Sequence, residues 1–402
     1  MKILHTADWH LGKRLQDFNR IEEQRQVLEE IIRIADKESV DVVLVAGDLF
    51  DTFNPVTEAI ELFYSTLHQL SDNGKRAVVA IAGNHDSAER IEAPHPLAAN
   101  CGIILYGNPD TMVKPFVLNS GLGVLQSEPG FLELEIPGFE YPLRLILTPY
   151  ANEYTYRKFL GKERPKDQLR ALLGQRWKTL ANKYCNDKGI NLLVAHLYFM
   201  DKHGIAPEES DDEKSILFQG GAQAIYTEDI PDQIQYTALG HLHRPQEITA
   251  THPVVYSGSP LSYSFSEADQ TKQVEIVELE PGQVAERKSI QLKKGKKLTR
   301  QRFEDFHGAI SWLEDHQNTY VELTMVVEDF LSAAQKKELH ATHQKIVSII
   351  PEITQSLNLN KIKASIDLSK DLKSLFIDYY KYKKDQSPSP DLLAVLEEII
   401  ND

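Results

Sequence analysis

At 402 residues the chain is too long for one ordinary domain, and its size alone suggests about two or three units with at least one sizeable core. A formal net charge of -15 argues against a protein that grips nucleic acid through its own bulk positive charge, because Lys and Arg neutralising phosphates dominate such affinity. Nothing approaches the roughly eighteen consecutive apolar residues of a membrane span, and the start Met1-Lys2-Ile3-Leu4-His5 lacks a signal-peptide core; a soluble, cytoplasmic protein is expected.

Short apolar runs alternate with amphipathic stretches over residues 1–86: a strand at Lys2 to Ala7, a helix around Val27 to Ala35, a strand at Val40 to Ala46, a helix carrying Ile60, Phe63, Tyr64, Leu67 and Leu70, and a strand at Ala77 to Ala82. Apolar spacings of three and four mark the helices, and continuous Val/Ile runs mark buried parallel strands, so βαβαβ is predicted. From about 103 to 150, short runs broken by Gly, Pro and Asn predict hairpins completing a second sheet. A helix around 166–184 leads to a strand at Ile190 to Ala195, then to a polar loop with Glu208, Glu209, Asp211, Asp212 and Glu213. Strands resume at Ile234 to Leu239, Val254 to Ser257 and Val274 to Leu279. Beyond about 295 a small α+β unit is predicted: a helix at Phe303 to Leu313, a strand at Tyr320 to Val327, a helix at Ala333 to Ile350 and an extended stretch near Ile353 to Ile366. The tail from Leu372 to Ile400 reads as two amphipathic helices divided by Ser387-Pro388-Ser389-Pro390.

Polar residues of metal-binding type follow the predicted strand ends in order: Asp8-Trp9-His10, Gly47-Asp48-Leu49-Phe50-Asp51, Gly83-Asn84-His85-Asp86, His196, and Gly240-His241-Leu242-His243. In open α/β sheets such strand ends share one rim. Carboxylate, imidazole and amide oxygen together suit borderline divalent metals, and the implied chemistry is phosphoester hydrolysis. Taken singly, Asp8 and Asp48 could be turn residues, His196 a satisfied core histidine and Asn84 an ordinary loop residue. Their joint, ordered occurrence makes coincidence improbable. Cys101 and Cys185 show no zinc or disulfide spacing and are assigned no chemistry.

These five clusters resemble the signature of the calcineurin-like metallophosphoesterases, D-x-H, G-D-x-x-D, G-N-H-D/E, H and G-H-x-H. His5 to Gly12, Ala238 to Gln246, Ser257-Gly258-Ser259-Pro260-Leu261 and Ser264-Phe265-Ser266-Glu267 narrow the likeness to the bacterial SbcD family. The resemblance implies an α/β fold, a four-layer sandwich of two mixed sheets flanked by helices, with a small α+β cap domain and a helical carboxyl-terminal tail. It divides the chain into a metallophosphoesterase (nuclease) domain at 1–292, a cap at 293–367 and a partner-binding tail at 368–402. It also implies two divalent metal ions, Mn²⁺ before others: Asp8, His10, Asp48 and His243 would hold one, and Asp48, Asn84, His196 and His241 the other, with Asp48 bridging. His85 would act on the leaving oxygen, and the Asp51 carboxylate would orient it as an Asp-His dyad. Archaeal relatives carry a second histidine where Asp51 stands, so their two-histidine arrangement is not transferred.

The activity implied is a DNA exonuclease at double-strand ends (3'-5') and an endonuclease on hairpins. It would serve DNA repair, recombination and replication with the coiled-coil ATPase SbcC, as a homodimer within a heterotetramer. Two alternatives stay in view: a phosphatase or cyclic-nucleotide phosphodiesterase, which would need no tail, and a DNA-end scaffold with inert metals. His5 is assigned to a buried structural role, Trp9 and Phe50 to packing beneath the loops, and Asp86 to bracing its loop. The run Lys293, Lys294, Lys296, Lys297, Arg300 and Arg302 is read as solvated surface before DNA contact.

Overall fold

The computed structural model describes residues 1–150, 168–204, 206–210, 224–268, 270–328 and 330–353, with isolated positions beyond. The amino-terminal run forms as its periodicities predict. Strand β1 (Lys2–Thr6) leads through helix α1 (Ile21–Lys37) to β2 (Val42–Ala46), and through α2 (Thr57–Leu70) to β3 (Ala77–Ile81), the three strands pairing in parallel. Every residue of β2 and β3 is buried, as continuous apolar runs covered on both faces require. After short helices α3 (Ala88–Glu92) and α4 (His95–Ala98), strand β4 (Ile103–Tyr106) joins the same sheet beside β3. This corrects the expectation that the second sheet begins near 103. Ile103 to Tyr106 is an uninterrupted, fully buried apolar run that fits a parallel sheet, and the Gly- and Pro-punctuated hairpins follow it.

Strands β5 (Phe116–Val117), β6 (Gly123–Glu128), β7 (Phe131–Glu135) and β8 (Leu143–Thr148) form an antiparallel meander. Helix α5 (Gln168–Tyr184) precedes β9 (Ile190–His196), which lies parallel to β8, and β10 (Phe199–Met200) with β11 (Ile225–Tyr226) makes a small separate pair. β12 (Tyr236–Gly240), β13 (Gln246–Ile248) and β14 (Val254–Tyr256) complete an eight-stranded sheet of order β13-β14-β12-β9-β8-β7-β6-β5. β15 (Gln273–Glu278) and β16 (Glu286–Gln291) return to β1, giving a six-stranded sheet of order β16-β15-β1-β2-β3-β4.

Both sheets are mixed, and they pack face to face. Ile3, Val42, Leu44 and Val79 of one share a core with Leu134, Leu145, Leu192, Val194 and Tyr236 of the other. The far face of the first sheet packs through Leu4, Val43 and Val45 on Val27 and Ile31 of α1 and Phe63 and Leu67 of α2. The far face of the second packs through Ile146 and Leu193 on Leu173 and Trp177 of α5. The architecture is the expected four-layer α/β sandwich. Among the described residues no helix is long and apolar enough to cross a membrane.

Beyond residue 292, β17 (Lys297–Phe303), α6 (Phe306–Asp315), β18 (Thr319–Val327), α7 (Ala333–Thr342) and β19 (Ile346–Ile353) build a three-stranded parallel sheet with helices and a core of its own, including Leu313, Val321, Leu323 and Leu339. Two boundaries differ from expectation. Phe303 ends a strand, and the helix starts later, where the Asp305 side chain caps the Gly308 N–H. The helix expected to reach Ile350 stops at Thr342, because Ile346, Val347, Ile349 and Ile350 are β-branched and serve the sheet. Past Ile353, the expected extended stretch lies outside the described residues, as do Leu372, Tyr379, Leu392, Val395, Ile399 and Ile400 of the tail and Asp211, Asp212 and Glu213 of the polar loop.

This unit meets the sandwich through Leu298 and Tyr320, which cluster with Leu15 and Phe265. The Tyr320 hydroxyl also donates to Glu23 Oε1 at 2.7 Å in a buried contact. Tyr320→Phe is therefore expected to cost about 1.5–3 kcal/mol, the net worth of a hydrogen bond to a charged group. The check is a lowered midpoint of thermal unfolding with unchanged metal binding.

Candidate metal centre

Each candidate ligand stands at the carboxyl end of a parallel strand: Asp8 and His10 after β1, Asp48 after β2, Asn84 after β3, His196 as the last residue of β9, and His241 and His243 after β12. The rims of both sheets therefore meet at one point. The turns there are tight. Asp8, His10, Asp48 and His241 take φ of 53°, 42°, 48° and 109°, left-handed values that L side chains adopt only when their surroundings over-determine them. Glycines permit the approach: a Cβ on Gly47 would lie 2.2 Å from His196 Nδ1, and one on Gly240 would lie 1.9 Å from the Ala46 carbonyl oxygen.

The side chains named as ligands lie close together. Asp8, His10 and His243 offer ligand atoms within 4.8 Å of one another, and so do Asp8, Asp48 and His196. Asp8 belongs to both groups, and Asp48 Oδ2 of the second lies 3.4 Å from His10 Nε2 of the first and 3.5 Å from His196 Nε2. Asn84 Oδ1 sits 3.0 Å from His196 Nε2 and 3.1 Å from His241 Nδ1. All seven proposed ligands are thus in one cluster, and all but Asn84 are buried.

The donor set fits divalent cations on its own chemistry. His196 Nδ1 lies 2.8 Å from the Ala46 carbonyl, which can only accept, so in the neutral ring Nε2 presents a lone pair toward Asn84 Oδ1 at 3.0 Å and Asp48 Oδ2 at 3.5 Å. His243 Nδ1 likewise meets Glu267 Oε1 at 3.2 Å, leaving Nε2 aimed at His10 Nε2 only 3.0 Å away. Ring nitrogens that converge on one another and on carboxylate and amide oxygens suit a cation between them. The electrostatics agree. Burial pushes the Asp8 carboxyl up to about 7 despite His196 and His243. Burial also opposes ionisation of Asp48, but His196 and His10 hold it well below the usual carboxylate range. Burial would lower His196 too, yet Asp48 and Asp8 push it up to about 9, while desolvation drives His241 down to about 3. The carboxylates demand positive charge, and bound metals would supply it.

His85 is half-buried, with its ring 4.8 Å from that of His10. Its orientation corrects one expectation. Nδ1 donates to the backbone carbonyl of Asp51 at 2.8 Å, so the hydrogen bond comes from the main chain and not from the carboxylate. The Asp51 carboxylate instead lies 3.3 Å from Lys13 Nζ and 3.8 Å from His10 Nδ1. Its closeness to His10 and His85 forms a third acidic and imidazole group, in which the sequence had announced only the nearness of Asp51 to His85.

Supporting residues take the roles expected from the sequence. Asp86 accepts from the amides of Leu49, Phe50 and Gly83, tying the loop after β3 to the loop after β2. His5 is fully buried between the Tyr236 hydroxyl and the Leu239 carbonyl. Trp9 and Phe50 pack on Phe63 beneath the loops. In the basic run, Lys296, Arg300 and Arg302 pair with Glu23, Glu322 and with Glu304 and Glu352. Glu267, part of a family motif with no role attached, proves to be the partner of a metal-ligand candidate.

Residues 1–245 match the calcineurin-like phosphoesterase family. The chain belongs to it. Within this family it is similar to the SbcD component of the nuclease SbcCD of Bacillus subtilis, 35% identical over 359 residues, 87% of this chain and 85% of that protein. The protein of the same name from Rhodobacter capsulatus is 32% identical over 289 residues, 70% of this chain and 67% of its own. That of Staphylococcus epidermidis is 29% identical over 293 residues, 73% of this chain and 70% of its own. As a calcineurin-like phosphoesterase of the SbcD group, the chain is a hydrolytic, metal-dependent enzyme.

Proposed function

We propose that this phosphoesterase is a two-metal DNA nuclease, the SbcD-type subunit of a double-strand-break processing complex, with Mn²⁺ as the working ion. The observation that carries the reading is the position of Asp48 Oδ2 between His10 and His196, which suits a carboxylate shared by two ions. Asp8, His10, Asp48 and His243 would hold one ion, and Asp48, Asn84, His196 and His241 the other. Bound there, two divalent ions would supply Lewis acidity toward a phosphodiester and lower the pKa of water. The protein's own part is to fix the ligands at the rim, where main-chain bonds such as Asp8 N–H to Gly47 O at 3.0 Å and His10 N–H to Asp48 O at 3.0 Å lock the loops together. His85, held by the Asp51 carbonyl, would donate its proton to the leaving oxygen or stabilise the charge developing there. Asp51 would act near this histidine through its backbone and through its carboxylate beside Lys13.

The names of the relatives, as nucleases of an SbcCD complex, support DNA as substrate and SbcC as partner. A small-substrate phosphatase would share the ligands but has little use for a carboxyl-terminal unit with its own core, and that unit favours the nuclease reading. We divide the chain at 1–292, 293–367 and 368–402, with the last segment as the partner-binding tail. The substrates we assign are double-strand ends, cut 3'-5', and hairpins, cut internally, in DNA repair, recombination and replication. The working assembly would be a homodimer of this chain with the ATPase, in the cytoplasm. An ATPase that brings its own DNA affinity answers the charge of -15.

Removing residues 368–402 is expected to abolish co-purification with the ATPase while hydrolysis of bis(p-nitrophenyl) phosphate persists. Full association of the truncated chain would refute the tail's role. Assays of linear duplex and hairpin DNA with Mn²⁺ or Mg²⁺, with and without the ATPase, test the substrate.

A further inference from the structure

Glu267 has no counterpart in the ligand set assigned above, yet it is fully buried beside it. A buried carboxylate is costly unless paired, and this one is paired on every side. Oε1 accepts from His243 Nδ1 at 3.2 Å and from the Tyr263 amide at 3.2 Å. Oε2 lies 2.5 Å from Lys272 Nζ and 3.4 Å from the Ser259 hydroxyl. Lys272 in turn donates to the His243 carbonyl and to Ser259 Oγ, both at 2.9 Å, so the pair grips the main chain and the ring of the same histidine. The Lys272 ammonium at Oε2 and the His243 ring at Oε1 balance its charge from opposite sides.

We infer that Glu267, balanced by Lys272, is the positioning residue of the metal centre: it fixes the tautomer of His243 and aims Nε2 at the ion. A carboxylate on Nδ1–H keeps the proton off Nε2 and raises the donor strength of that nitrogen. The geometry explains the choice of a charged pair. A neutral acceptor would orient the ring and raise its donor strength less than an anion does, and an anion in this core requires Lys272. The turn that carries Glu267 is fixed from the other side by Phe265, which packs on Leu298 and Tyr320 of the carboxyl-terminal unit. Glu267 touches neither substrate nor ion in this role and acts through His243.

The inference rests on His243 being a ligand, and the experiment separates the two. Metal-stripped full-length chain is titrated with Mn²⁺, with free Mn²⁺ read by electron paramagnetic resonance. Wild type is expected to bind two equivalents. His243→Ala should lose one of them; if it binds both as wild type does, the ligand assignment fails before Glu267 is considered. Glu267→Gln should weaken one equivalent by about 10- to 100-fold and leave the other in place. The double variant E267Q/K272M, which buries no unpaired charge, keeps the test valid if the single variant folds poorly, and the same selective weakening is expected of it. A role confined to stabilising the 259–272 turn would lower the thermal midpoint with Mn²⁺ affinity unchanged. That outcome, or equal weakening of both equivalents, would overturn the inference.

Discussion

Asp48→Asn is expected to weaken both metal positions together and to suppress Mn²⁺-dependent cleavage by more than about 100-fold, beyond the usual effect of losing a residue that merely supports a ligand. The reason is local. Asp48 Oδ2 is the atom placed between His10 and His196, and its other oxygen accepts the His85 amide at 2.9 Å, so one carboxylate would serve both ions while it holds the loop after β3. An amide keeps the volume and loses the charge. The variant should keep its fold, because removing negative charge from a buried cluster does not leave a new buried ion. Metal content per chain, measured after desalting, should fall for both ions. Full occupancy with near-normal cleavage would dismiss the bridging assignment.

His85→Gln is expected to lower turnover by roughly 100- to 10,000-fold, the usual contribution of a general acid, with metal content unchanged. Asp51→Asn should do far less. The hydrogen bond that orients His85 comes from the Asp51 carbonyl, which any residue supplies, and the side chain changes only its contact with Lys13 and its distance to His10. Comparing kcat for the two variants at saturating Mn²⁺ checks both statements. If Asp51→Asn falls as far as His85→Gln, the carboxylate matters in a way the main-chain bond does not explain.

That pair of variants marks where reading the sequence stops. The order of Asp8, His10, Asp48, Asn84, His196, His241 and His243 along predicted strand ends was legible, because strand periodicity and polar punctuation are local properties. Residue types suggested divalent metals and phosphoester hydrolysis, and the resemblance to the family supplied the seven-ligand set. Whether Asp51 reaches His85 through its carboxylate or its carbonyl depends on the turn after β2, which no spacing rule encodes. Glu267 lay within a family motif but acquired its role only by meeting His243, 24 residues earlier in the chain and on another element. A buried glutamate with a lysine five residues on was the available signal, and it is weak without coordinates. In β17 the Lys and Arg residues obscured an alternation in which Leu298 turns inward, so the strand was missed. β4 was assigned to the wrong sheet because strand pairing across a long connection is set by packing and not by the strand's own sequence.

Two ions held in common by Asp48 would make this chain a DNA-cleaving enzyme. The most direct test is stepwise return of Mn²⁺ to the chelator-stripped chain in the presence of the ATPase, with cleavage of an end-labelled duplex followed at each step. The account predicts no cleavage without metal and activity that rises only as the second equivalent binds. Cleavage by the stripped chain, full activity at one equivalent, or none at saturation would contradict it.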